Sequence, residues 1–575
     1  MTHPGDIMRM TPFSRYHPPS RCRRRARIAA AVQRPATLTA VLLALAAGSP
    51  DLASAADFTL QRTYLGEAPL DQFGIAVAGA GDVDGDGRAD FLVGANVNDE
   101  LILSGGKAYL FLGGPEYPTA AALTFAGDVE RGYFGQILTG GGDLNGDGLD
   151  DWAVGEPGPG PDGTHPGRVR VFLGGDPPSD VPVLTLTGEV PGGQFGAALA
   201  LVPDLDGDGH ADLVVGCPRA GDGRVFIYRG GPLPLDPTPA RVLNARPGDQ
   251  RFGARLAWLP DRDGDGKDDL LVGVPRNSDG GAWSGAVLLY AGTADLDTVP
   301  DLVLQGEAAG DEFGGALAAG HDVDGDGQPD LLVGAPFANA GVVVDAGKTY
   351  LYRGGTALDD VADLVLTGAQ NEERFGTAVA LGFDWNGDAI GDIAVGAPGF
   401  DDEMVLDSGR VAVFGGGTLD TVPIAVVPGP RESAHLGTSL AAAGDVVAGS
   451  RGVLLAGGYN GTDTGRVLLF GAAPDLTPAP PRPATARLSA PWPNPANPRV
   501  SASLHLQRAG RWQVAVHDLR GRRVATLLNG HLPSGEHRIV WDGASDRGAP
   551  QPSGIYLLRA EGGGTPLSAR VTLVR

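Results

Sequence analysis

Nine residues, Asp322 to Asp330 (DVDGDGQPD), carry carboxylates at their first, third, fifth and ninth positions: Asp322, Asp324, Asp326 and Asp330. Four like charges this close repel one another unless a cation sits among them. Gly325 and Gly327 permit sharp turns, and the backbone carbonyl of Gln328 at position seven supplies a further oxygen. A flexible loop of oxygen donors suits calcium, which takes about six to eight of them.

Five more loops share this register. The first offers Asp82, Asp84, Asp86 and Asp90 with the carbonyl of Arg88. The second offers Asp143, Asn145, Asp147 and Asp151 with that of Leu149. The third has Asp204, Asp206, Asp208 and Asp212 with His210, and the fourth has Asp261, Asp263, Asp265 and Asp269 with Lys267. The sixth has Asp384, Asn386, Asp388 and Asp392 with Ile390, and Ala389 stands where the others have glycine. That last loop is expected to bind most weakly. Position twelve excludes an EF-hand, because Val333 stands where a bidentate Glu is required. A dockerin-type loop needs an acid there as well. A structural role for up to six calcium ions follows. A catalytic metal keeps an open position and usually recruits His, whereas His210 could contribute only its carbonyl.

Each loop is followed by a short apolar run such as Leu331-Leu332-Val333, which reads as a buried strand. A Phe-Gly pair precedes each loop, at Phe73, Phe134, Phe195, Phe252, Phe313 and Phe375, with a degenerate seventh at Leu436-Gly437. Successive pairs lie 61, 61, 57, 61, 62 and 61 residues apart. That period suits a four-stranded propeller blade. The fifth unit supplies the template: Ala316 to Ala319, Leu331 to Val333, Lys348 to Tyr352 and Leu364 to Leu366. Its second segment reads as an inner strand covered on both faces, its third and fourth as outer strands half in water. The seventh unit has only three segments (Ser439 to Ala443, Val453 to Ala456, Val467 to Phe470) and no acidic loop after Asp445. An orphan fourth-type segment, Phe58-Thr59-Leu60, precedes the first Phe-Gly. The expected fold is therefore all-β: a seven-bladed propeller over residues 56–471, closed by its N-terminal strand so that no edge is left free.

The formal charge of −25 is uneven: residues 1–55 contribute +6 and the rest −31. An acidic surface argues against nucleic acid as a partner. Residues 1–55 read as an export signal, with Arg21, Arg23, Arg24, Arg25 and Arg27 before an apolar Leu38 to Ala47 and a small-residue site at Ala53-Ser54-Ala55. Cleavage near Ala55 would send the chain to the outside. The apolar stretch is too short to span a bilayer. Of the two cysteines, Cys22 leaves with the signal and Cys217 remains alone, so packing and metal must supply stability instead of disulfides.

Phe-Gly, an Asp-rich nine-residue loop and Gly-Ala-Pro (Gly334-Ala335-Pro336, Gly396-Ala397-Pro398) together resemble the FG-GAP repeat of integrin alpha-chain propellers. The third part is altered at Asn96, Glu156-Pro157, Cys217-Pro218, Val274-Pro275 and Gly457-Gly458. The resemblance implies calcium loops between the first and second strands of a blade, stapling the ring. It does not extend to an integrin's partner chain or leg domains.

A Pro-rich spacer, 472–487, leads to a compact β module over 488–575. Trp512 to Val516 alternates strictly, and Val524 to Leu528, Ile539 to Trp541, Ile555 to Leu558 and Val571 to Val574 follow, as in a small Ig-like sandwich. WPNPANP (Trp492–Pro498), HDLRGRRV, LPSGEHRIVWDG and PSGIYLLR resemble the C-terminal Ig-like domain of flagellar hook-capping proteins and type IX secretion cargo. That likeness implies a domain read by secretion or anchoring machinery.

GTSLA at Gly437 to Ala441 and Asp463-Thr464-Gly465 resemble subtilisin-type fragments. The repeat register places Ser439 opposite Ala378, however, and the order of Asp and Ser is reversed relative to that enzyme class. The expected function is thus a non-enzymatic, secreted or surface-displayed adhesion module whose loops bind a protein or glycan. The alternative is a secreted hydrolase, or an accessory subunit of one, that uses the propeller as scaffold.

Overall fold

The computed structural model describes residues 58–293, 298–355, 358–402, 405–417, 419–459 and 463–472, then 486–488, 494, 496–506, 510–518, 522–533, 535–561 and 567–574. The expected export signal, its cleavage site and most of the Pro-rich spacer lie outside these. No α-helix occurs among the described residues, and no helix there is long and apolar enough to cross a membrane.

Between Phe58 and Ala472 the strands assemble into seven four-stranded antiparallel sheets. The fifth contains Ala316–His321, Asp330–Ala335, Lys348–Tyr352 and Leu364–Thr367, paired in chain order. Second strands are buried at every residue, as in Asp330–Ala335 and Asp392–Ala397. Continuous Leu, Val and Ile there face neighbouring sheets on both sides. Third strands differ from expectation. Lys107–Phe111 and Ala286–Tyr290 are buried throughout instead of half in water, because their aromatics fill the space between sheets. The third strand Arg168–Phe172 does alternate as expected, as do outermost strands such as Leu184–Thr187.

First strands touch one another around a closed circuit: Phe73–Gly81, Ile137–Gly142, Ala198–Val202, Arg255–Leu259, Ala316–His321, Ala378–Phe383, Ser439–Ala442 and back to Phe73–Gly81. Ala and Gly recur in these converging strands, as in Phe73–Gly81 and Ala316–His321, although Arg255–Leu259 carries larger side chains. The repeat motif explains how sheets join. The Phe of each Phe-Gly is buried between sheets, and the glycine in Gly-Ala-Pro lets the next unit's Phe-Gly backbone approach. A Cβ on Gly334 would collide with the Gly376 carbonyl, and one on Gly457 with that of Gly74, the same contact across the closure.

The seventh sheet takes its outermost strand from the other end of the ring. Phe58–Leu65 pairs antiparallel with Arg466–Ala472, from Phe58 opposite Ala472 to Leu65 opposite Arg466, with a bulge between Leu60 and Arg62. The Gln61 side-chain amide donates to the Gly471 carbonyl at 2.9 Å. Phe58 packs at a tilt against Phe383 and Trp385 of the sixth unit. The expected strand at Phe58 to Leu60 thus forms, and it is longer than expected.

The C-terminal module is a sandwich of two sheets. Ala486–Leu488, Val500–Leu506 and Gly535–Trp541 form one; Arg523–Leu532, Gly510–Asp518, Gly554–Glu561 and Leu567–Leu573 form the other. Trp512, Trp541, Tyr556 and Leu504 anchor its core. The strands Ala486–Leu488 and Val500–Leu506 escaped the sequence reading, because Pro-rich flanks mask the alternation in the second.

Candidate metal centres

All six acidic loops connect a first strand to a second strand of the same sheet. Position nine opens the second strand and is fully or almost fully buried in each: Asp90, Asp151, Asp212, Asp269, Asp330 and Asp392. Positions one, three and five stand nearer solvent. Their carboxylates fold the loop by accepting from its own backbone. In the fifth loop Gly325 N–H donates to Asp322 Oδ1 and Gly327 N–H to Asp322 Oδ2, both at 2.7 Å. Asp326 N–H donates to Asp324 Oδ1 at 3.0 Å, and Gln328 N–H to Asp326 Oδ1 at 2.7 Å. The two glycines have φ of +83° and +86°. In the sixth loop Ala389 must take φ +68°, a region costly for a residue with a Cβ.

Four loops bring three carboxylates together, one oxygen of each within 4.8 Å of the others. These are Asp82, Asp84 and Asp86; Asp204, Asp206 and Asp208; Asp261, Asp263 and Asp265; and Asp322, Asp324 and Asp330. The second and sixth loops form no such trio. In them Asn145 donates to Asp147 Oδ2 at 3.1 Å and Asn386 to Asp388 Oδ2 at 2.9 Å, so an amide takes up an acid that elsewhere faces acids. Hard oxygens packed this tightly fit a calcium-sized cation. Positions one, three, five and nine are the residues that would hold it.

The buried acids carry the electrostatic signature. Burial pushes Asp90, Asp151 and Asp212 up to about 7 and Asp269, Asp330 and Asp392 up to about 6; backbone donors oppose the shift, and neighbouring loop acids add to it in all six. A cation among them would reverse that shift. In three loops a basic side chain partly supplies positive charge: Arg229 reaches Asp206 at 2.7 Å, Arg353 reaches Asp324 at 3.0 Å, and Lys267 reaches Asp265 at 2.8 Å.

The position-nine acid also ties its sheet together. Val323 N–H donates to Asp330 Oδ2 at 2.8 Å, and Gly354 N–H, just past the third strand, donates to Asp330 Oδ1 at 2.9 Å. Gly113, Gly174, Gly230, Gly292 and Gly416 repeat that donation in the other units. Sequence reading missed these glycines, although the recurrent aromatic-x-Gly after each third segment marks them. Loops are also joined from sheet to sheet. Asp150 N–H donates to the Asp82 carbonyl, Ala211 N–H to that of Asp143, and Asp268 N–H to that of Asp204, all at 2.9–3.1 Å. Position-seven side chains lie over the preceding loop: a Cβ on Gly85 would meet Leu149, and one on Gly146 would meet the His210 ring.

The seventh loop has no acid trio. Asp445 Oδ1 instead accepts from Ser450 Oγ at 3.1 Å and from Gly452 N–H at 2.8 Å. Ser439 Oγ donates to the Gly74 carbonyl at 2.8 Å, and Asp463 pairs with Arg431, so the subtilisin-like fragments are bound into the ring's closure.

The FG-GAP repeat model matches residues 73–111, 134–172, 195–228, 252–290 and 313–352, and the FlgD Ig-like domain model matches 500–565. Integrin alpha-5 of Xenopus laevis is 34% identical over 246 residues, 40% of this chain and 22% of that protein. Integrin alpha-7 of Rattus norvegicus is 38% identical over 185 residues, 30% of this chain and 16% of that protein. Phosphatidylinositol-glycan-specific phospholipase D of the same species is 37% identical over 176 residues, 28% of this chain and 20% of that protein. The matched part thus spans about a fifth of these relatives. Among solved structures, PorZ, a bacterial surface component of the type-IX secretion system of Porphyromonas gingivalis, covers 84% of this chain and 58% of its own at 15% identity and a TM-score of 0.36, too loose an overlap to bear on function.

Proposed function

We propose, for a chain that carries five FG-GAP repeats and a FlgD Ig-like domain, that it is a calcium-stabilised, non-enzymatic binding module acting outside the cell. In this reading the ring is a rigid scaffold whose connecting loops engage a protein or glycan. The C-terminal sandwich serves sorting or surface attachment. One observation carries the proposal: the acid-rich loops are stitched both to their own third strand and to the next sheet, so a cation held there tightens the whole ring. Calcium supplies charge neutralisation in this arrangement. The chain's own contribution is the turn geometry and the buried carboxylate that fixes it.

Adhesion of the purified chain to arrayed glycans and matrix proteins, with calcium and with chelator, tests the proposal. Binding lost on chelation and restored by calcium is expected. Calcium-dependent hydrolysis without adhesion would favour the scaffold-of-a-hydrolase reading instead. Thermal melting tests the structural half. A site with Kd ~10 μM in ~1 mM calcium contributes roughly 2.7 kcal/mol by linkage, so several sites should raise Tm markedly over EDTA. Identical melting in both buffers would overturn the metal's structural role.

A further inference from the structure

In a chain of net charge −25, four arginines gather on the third and fourth sheets and the loops beside them. Arg219 opens the connection between second and third strands of the third sheet. That connection is bridged to the fourth unit where Gly223 pairs with Phe252, which sets Arg251 beside it. Arg255 begins the fourth sheet's innermost strand and pairs with Gly273, three residues before Arg276. Arg276 reaches Glu312 at 3.2 Å and lies over the Trp283 ring at 4.8 Å. Trp283 is itself 46% exposed.

One of these positions breaks the repeat and another is not fixed by it. Where Arg255 stands, four other units have Ala76, Ala198, Ala316 and Ala378; where Arg251 stands, the residue varies, with Gln72 and Gln194 in the first and third units and Arg374 in the sixth. Ring closure therefore requires neither arginine. Among the described residues, no carboxylate lies within ion-pair distance of Arg251 or Arg255, although Arg168, Arg246 and Arg410 each have one. Arg255 is exposed to solvent, and its one side-chain hydrogen bond goes to the Ala254 carbonyl at 2.8 Å. The guanidinium of Arg251 is held below its usual range by burial and then by Arg276, Arg219 and Arg255, with Glu312 opposing them, and a bound anion would relieve the remaining repulsion.

Resting on the binding reading above, we infer that Arg251, Arg255 and Arg219, with Trp283 alongside, form a site for the carboxylate-bearing end of an acidic glycan. Guanidinium forks match a carboxylate in bidentate geometry. An exposed indole beside them offers an apolar face to a pyranose ring. The acidity of the remaining surface repels long polyanions, so the site suits a chain end over a nucleic acid or an extended sulfated polymer.

The test uses the full chain in calcium, titrated calorimetrically with sialyllactose or trigalacturonate, with lactose, acetate, sulfate and a short oligothymidylate as comparisons. At least one acidic sugar should bind at least about tenfold more tightly than lactose or acetate. Arg251→Gln with Arg255→Ala restores residues that the repeat already uses and should fold. It should cost about tenfold or more in acidic-sugar affinity with melting unchanged. Trp283→Ala should remove the preference for sugar over acetate. No acidic-sugar binding, equal binding of lactose, equal binding of sulfate or oligothymidylate, or unaltered affinity in the double variant would each overturn the assignment. If the double variant still adheres to the array as wild type does, this site alone is wrong. A wild type that adheres to nothing in calcium refutes the binding reading itself.

Discussion

At the residue scale, the position-nine aspartates brace their sheets in a way that needs no metal. Asp330 accepts two backbone donors with its two oxygens, whereas Asp326 accepts one at the surface. In EDTA, Asp330→Asn should cost about 2–3 kcal/mol, because the amide keeps one acceptor oxygen and sets an NH2 that cannot accept against the other buried N–H. Asp326→Asn should stay within about 0.5 kcal/mol; denaturant unfolding distinguishes them. Ala389 is held at φ +68°, so Ala389→Gly should stabilise the sixth loop by about 1 kcal/mol and raise Tm. The raised carboxyls give a pH signature. Between the ordinary carboxyl range near 4 and about 6 to 7, the folded metal-free chain holds protons that the unfolded chain has released. Its stability should therefore fall as pH rises through that window. On the proposed calcium role, the cation would compete with those protons, so its affinity should climb over the same interval. Melting curves in EDTA at pH 5 and pH 7.5 check the sign, and calcium titrations check the competition.

Among elements, what could be read from sequence followed from repetition. Phe-Gly, the nine-residue loop and the Leu-Val run after it recur in register, so strands such as Lys348–Tyr352 were placed to the residue. Contacts across a long gap carried no local signal. Gly354 serves Asp330 from 24 residues away, and Leu149 covers Gly85 in a different sheet. The burial of third strands was likewise illegible, since alternation in one strand does not reveal what the neighbouring sheet lays against its other face. The closing strand makes the element-scale prediction. Deleting 57–65 removes every partner that Arg466–Ala472 has on that side. Limited proteolysis should then begin in the seventh sheet, and cuts starting in another sheet would contradict the closure.

For the whole molecule, joining strand Phe58–Leu65 to the last strand of the ring imposes an order of events. Phe58–Leu65 finds its hydrogen-bonding partner only once Ala472 has been made, about four hundred residues later. Until then that strand and the exposed side of the seventh sheet are sticky, unmatched margins, of the kind that invites aggregation. Pairing so distant along the chain is slow to form. A nascent copy must accordingly remain an unzipped arc, its two margins kept from other chains, and the circle snaps shut only once the polypeptide has been made through Ala472.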